Sequence, residues 1–165
     1  MSQDAIVMLR DDHKEVRALF REFQRASTTP ARKEQIVRKV IELLTVHTYI
    51  ENEVMYPRVR ELVPDLEDDI LESYEEHHVA DVLVMELDAM DREDERFVAK
   101  ATVLIESVSH HMDEEESDWF PKVREALGRS TLRELGDELA AAKERAPRRP
   151  EQPGALKKTI DAVVG

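Results

Sequence analysis

The chain has 165 residues, no Cys and a formal net charge of −13. That length suits one well-buried domain with a short appendage. The lack of thiols excludes disulfides, thiolate metal sites and a Cys nucleophile, and an acidic balance without a basic stripe argues against nucleic-acid binding. Only four Gly and an abundance of Ala, Leu, Val, Glu, Lys and Arg favour helix over sheet. No apolar run reaches membrane-spanning length and the N-terminus lacks a basic-then-apolar leader, so a soluble cytoplasmic protein is expected.

The periodicity predicts a first helix from about Ser2 to Arg25, capped by Ser2 or Asp4, with Ile6, Leu9, His13, Val16, Phe20 and Phe23 on one stripe. Ser27 to Pro30 breaks the pattern. A second helix then carries Val37, Val40, Leu44, His47, Glu51 and Val54 on one face. Pro57 should kink or close its last turn, because proline has no backbone donor. After a turn at Pro64-Asp65, a third helix aligns Ile70, Ser73, His77, Ala80, Val84 and Leu87. The run Asp91 to Asp94 marks the next turn. A fourth helix follows with Ala101, Leu104, Val108, His111 and Glu115, ending between Pro121 and Gly128.

Short connections make successive helices antiparallel, so residues 1–128 are expected to form an all-α, up-down-up-down four-helix bundle. Residues 129–165 read as a C-terminal extension. It comprises a fifth helix from Leu132 to about Ala146, a Pro-rich linker from Pro147 to Gly154, and a short amphipathic tail bearing Leu156, Ile160, Val163 and Val164. No site residue is evident in that extension.

A constellation of polar residues occurs twice with a constant offset of 64 residues: His13 and His77, His47 and His111, Glu51 and Glu115, then Pro57 and Pro121. The apolar frame repeats with it, as in Ile6 with Ile70 and Leu19 with Leu83. Residues four apart share a helix face, so His47 with Glu51, and His111 with Glu115, can each reach one point in the core. His13 and His77 add one imidazole from each remaining helix. Buried without partners, such groups would cost several kcal/mol each, which makes plain core packing a poor account of them. Nitrogen and oxygen donors without thiolate suit iron, manganese, zinc or copper. His78 and His110 map onto Lys14 and Val46, so the repeat gives them no ligand role, and Glu53, Glu114 and Glu116 read as solvated charge.

The ordered motif His, His-x-x-x-Glu, His, His-x-x-x-Glu over residues 2–127 resembles the hemerythrin-like (HHE cation-binding) domains. The resemblance implies a non-heme pair of iron ions, bridged by the carboxylates of Glu51 and Glu115 and by an oxo or hydroxo group. His13, His47, His77 and His111 would be the imidazole ligands. The chain departs from the oxygen-carrying members of that family in two ways. His77 is followed at four residues by Asp81 where they have a second His, and the last carboxylate is Glu115, four residues after His111 rather than five. Simple oxygen carriage is therefore disfavoured. Tyr74, Tyr56 and Asp81 are the candidates for a seventh ligand or for hydrogen bonding behind the six. Tyr74 stands where the first half has Arg10, and Tyr56 where the second half has Phe120.

A site of this kind handles small oxidants such as peroxide, O2 or nitric oxide. Peroxide decomposition is the expected activity; reversible O2 or NO binding without turnover, and iron sensing or storage, are the alternatives.

Overall fold

The structure is a computed structural model and describes residues 3–150. Ser2 and the amphipathic tail at Leu156 to Val164 lie outside the described residues. Helix α1 (Ala5–Gln24) begins at Asp4, whose carboxylate accepts the free backbone N–H groups of Ile6 and Val7. Helix α2 (Pro30–Ile50) starts with Pro30 in its first turn, where a missing donor costs nothing, and Thr29 caps it.

Helix α2 does not stop at Ile50. It widens into a π-helical turn, Glu51–Met55, and continues as α3 (Tyr56–Leu62). A 3-10 turn, Pro64–Leu66, leads into α4 (Glu67–Ala89). Helix α5 (Phe97–Glu114) widens in the same way at Glu115–Trp119 before continuing as α6 (Phe120–Arg145). Both π turns end two residues before a proline, and in both the amide five residues on reaches the glutamate carbonyl: Tyr56 to Glu51 and Phe120 to Glu115. Proline removes one donor and crowds the carbonyl four residues back, and the wider turn accommodates both effects. The expected kink at Pro57 is thus a π bulge just ahead of it.

The four bundle helices are α1, α2 with α3, α4, and α5 with the start of α6, packed up-down-up-down. All the expected inward residues of α4, from Ile70 to Leu87, are buried, as are those of α1. The core forms two apolar clusters. One contains Val16, Phe20, Leu44, Val84 and Val108; the other contains Leu9, Ile50, Tyr56, Ile70 and Phe120. The histidine layer lies between them.

Gly128, with φ of 72°, breaks α6 and lets the chain turn back along the bundle. Leu132, Leu135, Leu139 and Ala142 then join the cluster of Ala5, Leu9 and Ile50. Gly136 permits this approach, since a Cβ there would stand 1.7 Å from the Gln3 carbonyl oxygen. Among the described residues, no helix is long and apolar enough to cross a membrane.

Candidate metal centre

Six polar side chains meet between the two apolar clusters. His13, Glu51 and Glu115 are fully buried, and His47, His77 and His111 nearly so. Their donor atoms form two groups within coordination reach, His13, His47, Glu51 and Glu115 in one, and Glu51, His77 and His111 in the other. Glu51 belongs to both. Its Oε1 lies 3.1 Å from His47 Nε2 and its Oε2 lies 3.0 Å from His77 Nε2. Glu115 Oε1 is 3.0 Å from His111 Nε2 and 3.5 Å from His13 Nε2. Within each half the rings face each other, with Nε2 atoms 3.2 Å apart for His13 and His47 and 3.0 Å apart for His77 and His111.

Oε1 of Glu51 and Oε1 of Glu115 have no hydrogen-bond partner despite these short distances, because the angles are wrong. Nitrogen and oxygen lone pairs converge on common points instead of pairing with one another. Only protons or cations relieve that arrangement in a buried site.

The outward ring nitrogens are all held. His47 Nδ1 lies 2.9 Å from Asp12 Oδ2, and His111 Nδ1 lies 3.1 Å from Glu76 Oε1. His13 Nδ1 is 3.1 Å from Glu116 Oε1, and His77 Nδ1 is 2.8 Å from Asn52 Oδ1. An acceptor at Nδ1 fixes the proton there and leaves the Nε2 lone pair facing inward. Asp12 with Glu76, and Asn52 with Glu116, are again 64 residues apart, so the repeat includes the supporting groups. That offset was the signal by which they could have been found. Glu116 is no solvated charge, as it bonds both His13 and Arg17. The C-terminal extension also needs correction, since Lys143 Nζ donates to Asp12 Oδ1 at 2.6 Å and so stands directly behind His47.

Of the three further candidates, Tyr56 enters the centre. Its hydroxyl lies 3.1 Å from Glu51 Oε2, 3.0 Å from His77 Nε2, 3.3 Å from His111 Nε2 and 3.4 Å from Glu115 Oε2. In a regular α-helix Tyr56 would point about 140° away from Glu51. The π turn brings it onto the same face. Phe120 takes the equivalent place in the other half, stacked 5.9 Å from His13. Tyr74 stays outside, with its hydroxyl on the Asn52 carbonyl and its ring edge against Tyr56. Asp81 lies half-buried along a cavity wall near His77, and burial raises its pKa against the pull of His77 and His78. His110 is exposed and pairs with Glu114.

Electrostatics follow the geometry. Burial disfavours a charged His47, but the adjacent Glu51 carboxylate and the Asp12 hydrogen bond outweigh it and raise its pKa to about 10. Against the same burial, His111 is held well above the usual range by Glu115 and Glu76. Burial opposes ionisation of Glu51 too, yet His47 and His77 draw its pKa well below the ordinary carboxylate value. Burial and the two glutamate charges keep the Tyr56 phenol protonated far above its usual range. Without a cation, the site therefore retains protons on imidazoles beside charged carboxylates.

A cavity of about 30 Å³ adjoins the four rings on the side opposite Tyr56. Val16, Leu44, Ala80 and Val108 wall it, each one helical turn from a histidine. The Thr45 and Thr48 hydroxyls at its edge donate back to the carbonyls of Ile41 and Leu44, so they add little polarity to the wall, and Asp12, Glu76 and Asp81 lie at its margin. There is room for about one water-sized molecule.

The family model described as hemerythrin HHE cation-binding domain matches residues 4–123. A protein of Nostoc sp. (strain PCC 7120) described as a DNA nickase is 30% identical over 142 residues, covering 86% of this chain. The chain spans only 40% of that relative's length. The crystal structure of a hemerythrin HHE cation-binding domain-containing protein from Mycobacterium kansasii superposes with a TM-score of 0.72. That match is 22% identical and covers 87% of this chain and 86% of that one, a likeness of fold.

Proposed function

This chain belongs to the hemerythrin HHE cation-binding domain family, and on that premise we propose that its six converging side chains hold two iron ions and decompose hydrogen peroxide. Four imidazoles and two carboxylates fit iron by donor type. The orphaned Oε1 atoms of Glu51 and Glu115 mark where positive charge would remove the lone-pair conflict. Glu51, facing imidazoles of both halves, and Glu115, facing His13 and His111, would serve as the shared carboxylates. Bound there, iron would supply one-electron redox change at each of two neighbouring ions.

The rest of the chemistry belongs to the chain. Asp12, Glu76, Asn52 and Glu116 orient the four rings. The small cavity admits a peroxide-sized molecule and excludes organic substrates. The Tyr56 hydroxyl holds a proton within reach of both glutamates, on the His77 and His111 side only. In the overall reaction one peroxide gives up two electrons and two protons to become O2, and a second takes them up as its O–O bond breaks to give two waters.

The observation that carries this reading is the unequal pair Tyr56 and Phe120. A phenol beside one half and a phenyl ring beside the other make the two halves unequal and put a transferable proton next to one of them, which favours a redox cycle over reversible carriage. The DNA-directed activity named for the Nostoc protein finds no support in a chain of net charge −13 without a basic stripe. The test is O2 release from peroxide by the iron-reconstituted protein. Sustained release of one O2 for every two peroxides consumed is expected. Reversible O2 or NO uptake by the reduced protein with no peroxide turnover would contradict the proposal and favour a binding module.

A further inference from the structure

The repeat makes it possible to compare the same surface on both halves of the bundle. On the first half, Ala5, Met8, Ile50 and Val54 flank the approach to His47 and Glu51. Ala5 and Ile50 are fully buried there, in one cluster with Leu135, Leu139 and Ala142 of the C-terminal helix. Lys143, bonded to Asp12, closes the same side. On the second half, the residues at the 64-residue offset are Asp69, Glu72, Glu114 and Asp118. No second copy of the C-terminal helix covers them among the described residues. They line an open cleft of about 240 Å³ together with Glu76, and its inner end is His111 and Glu115.

We propose that divalent metal cations reach the buried centre through this acidic window between α4 and the π turn after α5, while the C-terminal helix seals its pseudo-symmetric counterpart. The proposal rests on the reading of the six side chains as a metal site. Acidic residues alone would not point to a route, since they are commonly just solvated. Here a second observation directs them: Glu115, fully buried, is at once a wall residue of the cleft and a donor of the centre, and its Oε1, 3.0 Å from His111 Nε2, has no hydrogen-bond partner. The substitution pattern adds a third, because each of the four positions that is apolar under the C-terminal helix is acidic in the open cleft. A cleft lined by one sign of charge raises the local concentration of the opposite ion and its association rate. The cavity on the far side of the rings also touches Asp12, Glu76 and Asp81, but at about 30 Å³ against about 240 Å³ it gives a cation a much narrower path.

The test is anaerobic stopped-flow uptake of Fe²⁺ by the metal-free full chain, read by quenching of Trp119. This is the sole tryptophan, and it lines the cleft with its ring 5.6 Å from that of Tyr56. Combining Glu72→Gln with Asp118→Asn should slow uptake about tenfold at low ionic strength. The difference should shrink as salt is added, while the final metal content stays unchanged. An equal charge change on the covered side, Asp11→Asn with Glu138→Gln, should leave the rate near that of the unaltered chain. Equal rates for the two double variants would overturn the route while leaving the metal site standing. An unaltered chain that takes up no Fe²⁺ would overturn the metal-site reading and the route together.

Discussion

The two halves of this bundle are near copies in the positions that face the centre and differ in the positions around it. Each half supplies His, His-x-x-x-Glu, an acceptor behind each ring and a π turn ahead of a proline. Beyond that set they diverge. The first half has Phe120 against its rings, a sealed apolar flank and Lys143 behind Asp12. The second has Tyr56 among its donors, an acidic open flank, and no described lysine on Glu76. Repetition builds the donor cage, and the departures from repetition decide what each half does.

Removing the shared group should have the largest effect. Glu51 belongs to both donor groups, so Glu51→Ala should strip the metal from both halves, whereas His13→Ala should spare the His77 and His111 half. Metal content per chain separates these outcomes, and equal loss in the two variants would break the picture in which Glu51, alone of the two shared carboxylates, belongs to both donor groups.

Next comes Tyr56→Phe, which makes the second half resemble the first. Metal should be retained, any phenolate charge-transfer band should disappear, and peroxide turnover should fall by about 10- to 100-fold. Unchanged turnover would mean that Tyr56 is only a packed aromatic. A smaller effect is expected from the groups behind the rings. Asp12→Asn should weaken metal retention about tenfold, as should Glu76→Gln in its own half. Lys143→Met should lower stability by less than about 1 kcal/mol, because its ammonium is partly exposed. Denaturation midpoints and competition with a chelator would measure both.

The mildest effect is one of pH on the metal-free chain. The folded-state pKa of His47 is raised from 6.5 to about 10, so its contribution to stability is complete below pH 6.5 and is lost as pH rises towards 10. Glu51 acts in the opposite direction: its pKa is depressed, so its contribution is present above its usual value of 4.5 and is lost in acid. Urea denaturation should therefore find the metal-free chain weakening on both sides of that window. Metal loading near neutral pH should release about two protons, since His47 and His111 must give theirs up.

Much of this was legible in the residues. The inward stripes of all four bundle helices and the six donors follow from helical spacing and the 64-residue offset, because both depend on local periodicity. Asp12, Asn52, Glu76 and Glu116 lay within the same offset, but helical spacing does not set them apart from other solvent-facing polar residues, and only the packing of one helix on another brings them behind a ring. Tyr56 and Tyr74 could not be separated by spacing. The distinction depends on a π turn, a change of helical pitch that Pro57 marks without dictating its form. Lys143 reaches the centre only because Gly128 turns the chain back and Gly136 lets it approach closely, a contact between residues 131 apart that no periodicity reports.

The most direct test of the central claim is anomalous diffraction at the iron edge from crystals of the reconstituted protein. Two peaks about 3.5–4 Å apart are expected, one between His13 and His47 and the other between His77 and His111. A single peak, or iron found only at the outer group of Glu76, His110 and Glu114, would contradict two ions in the buried cage.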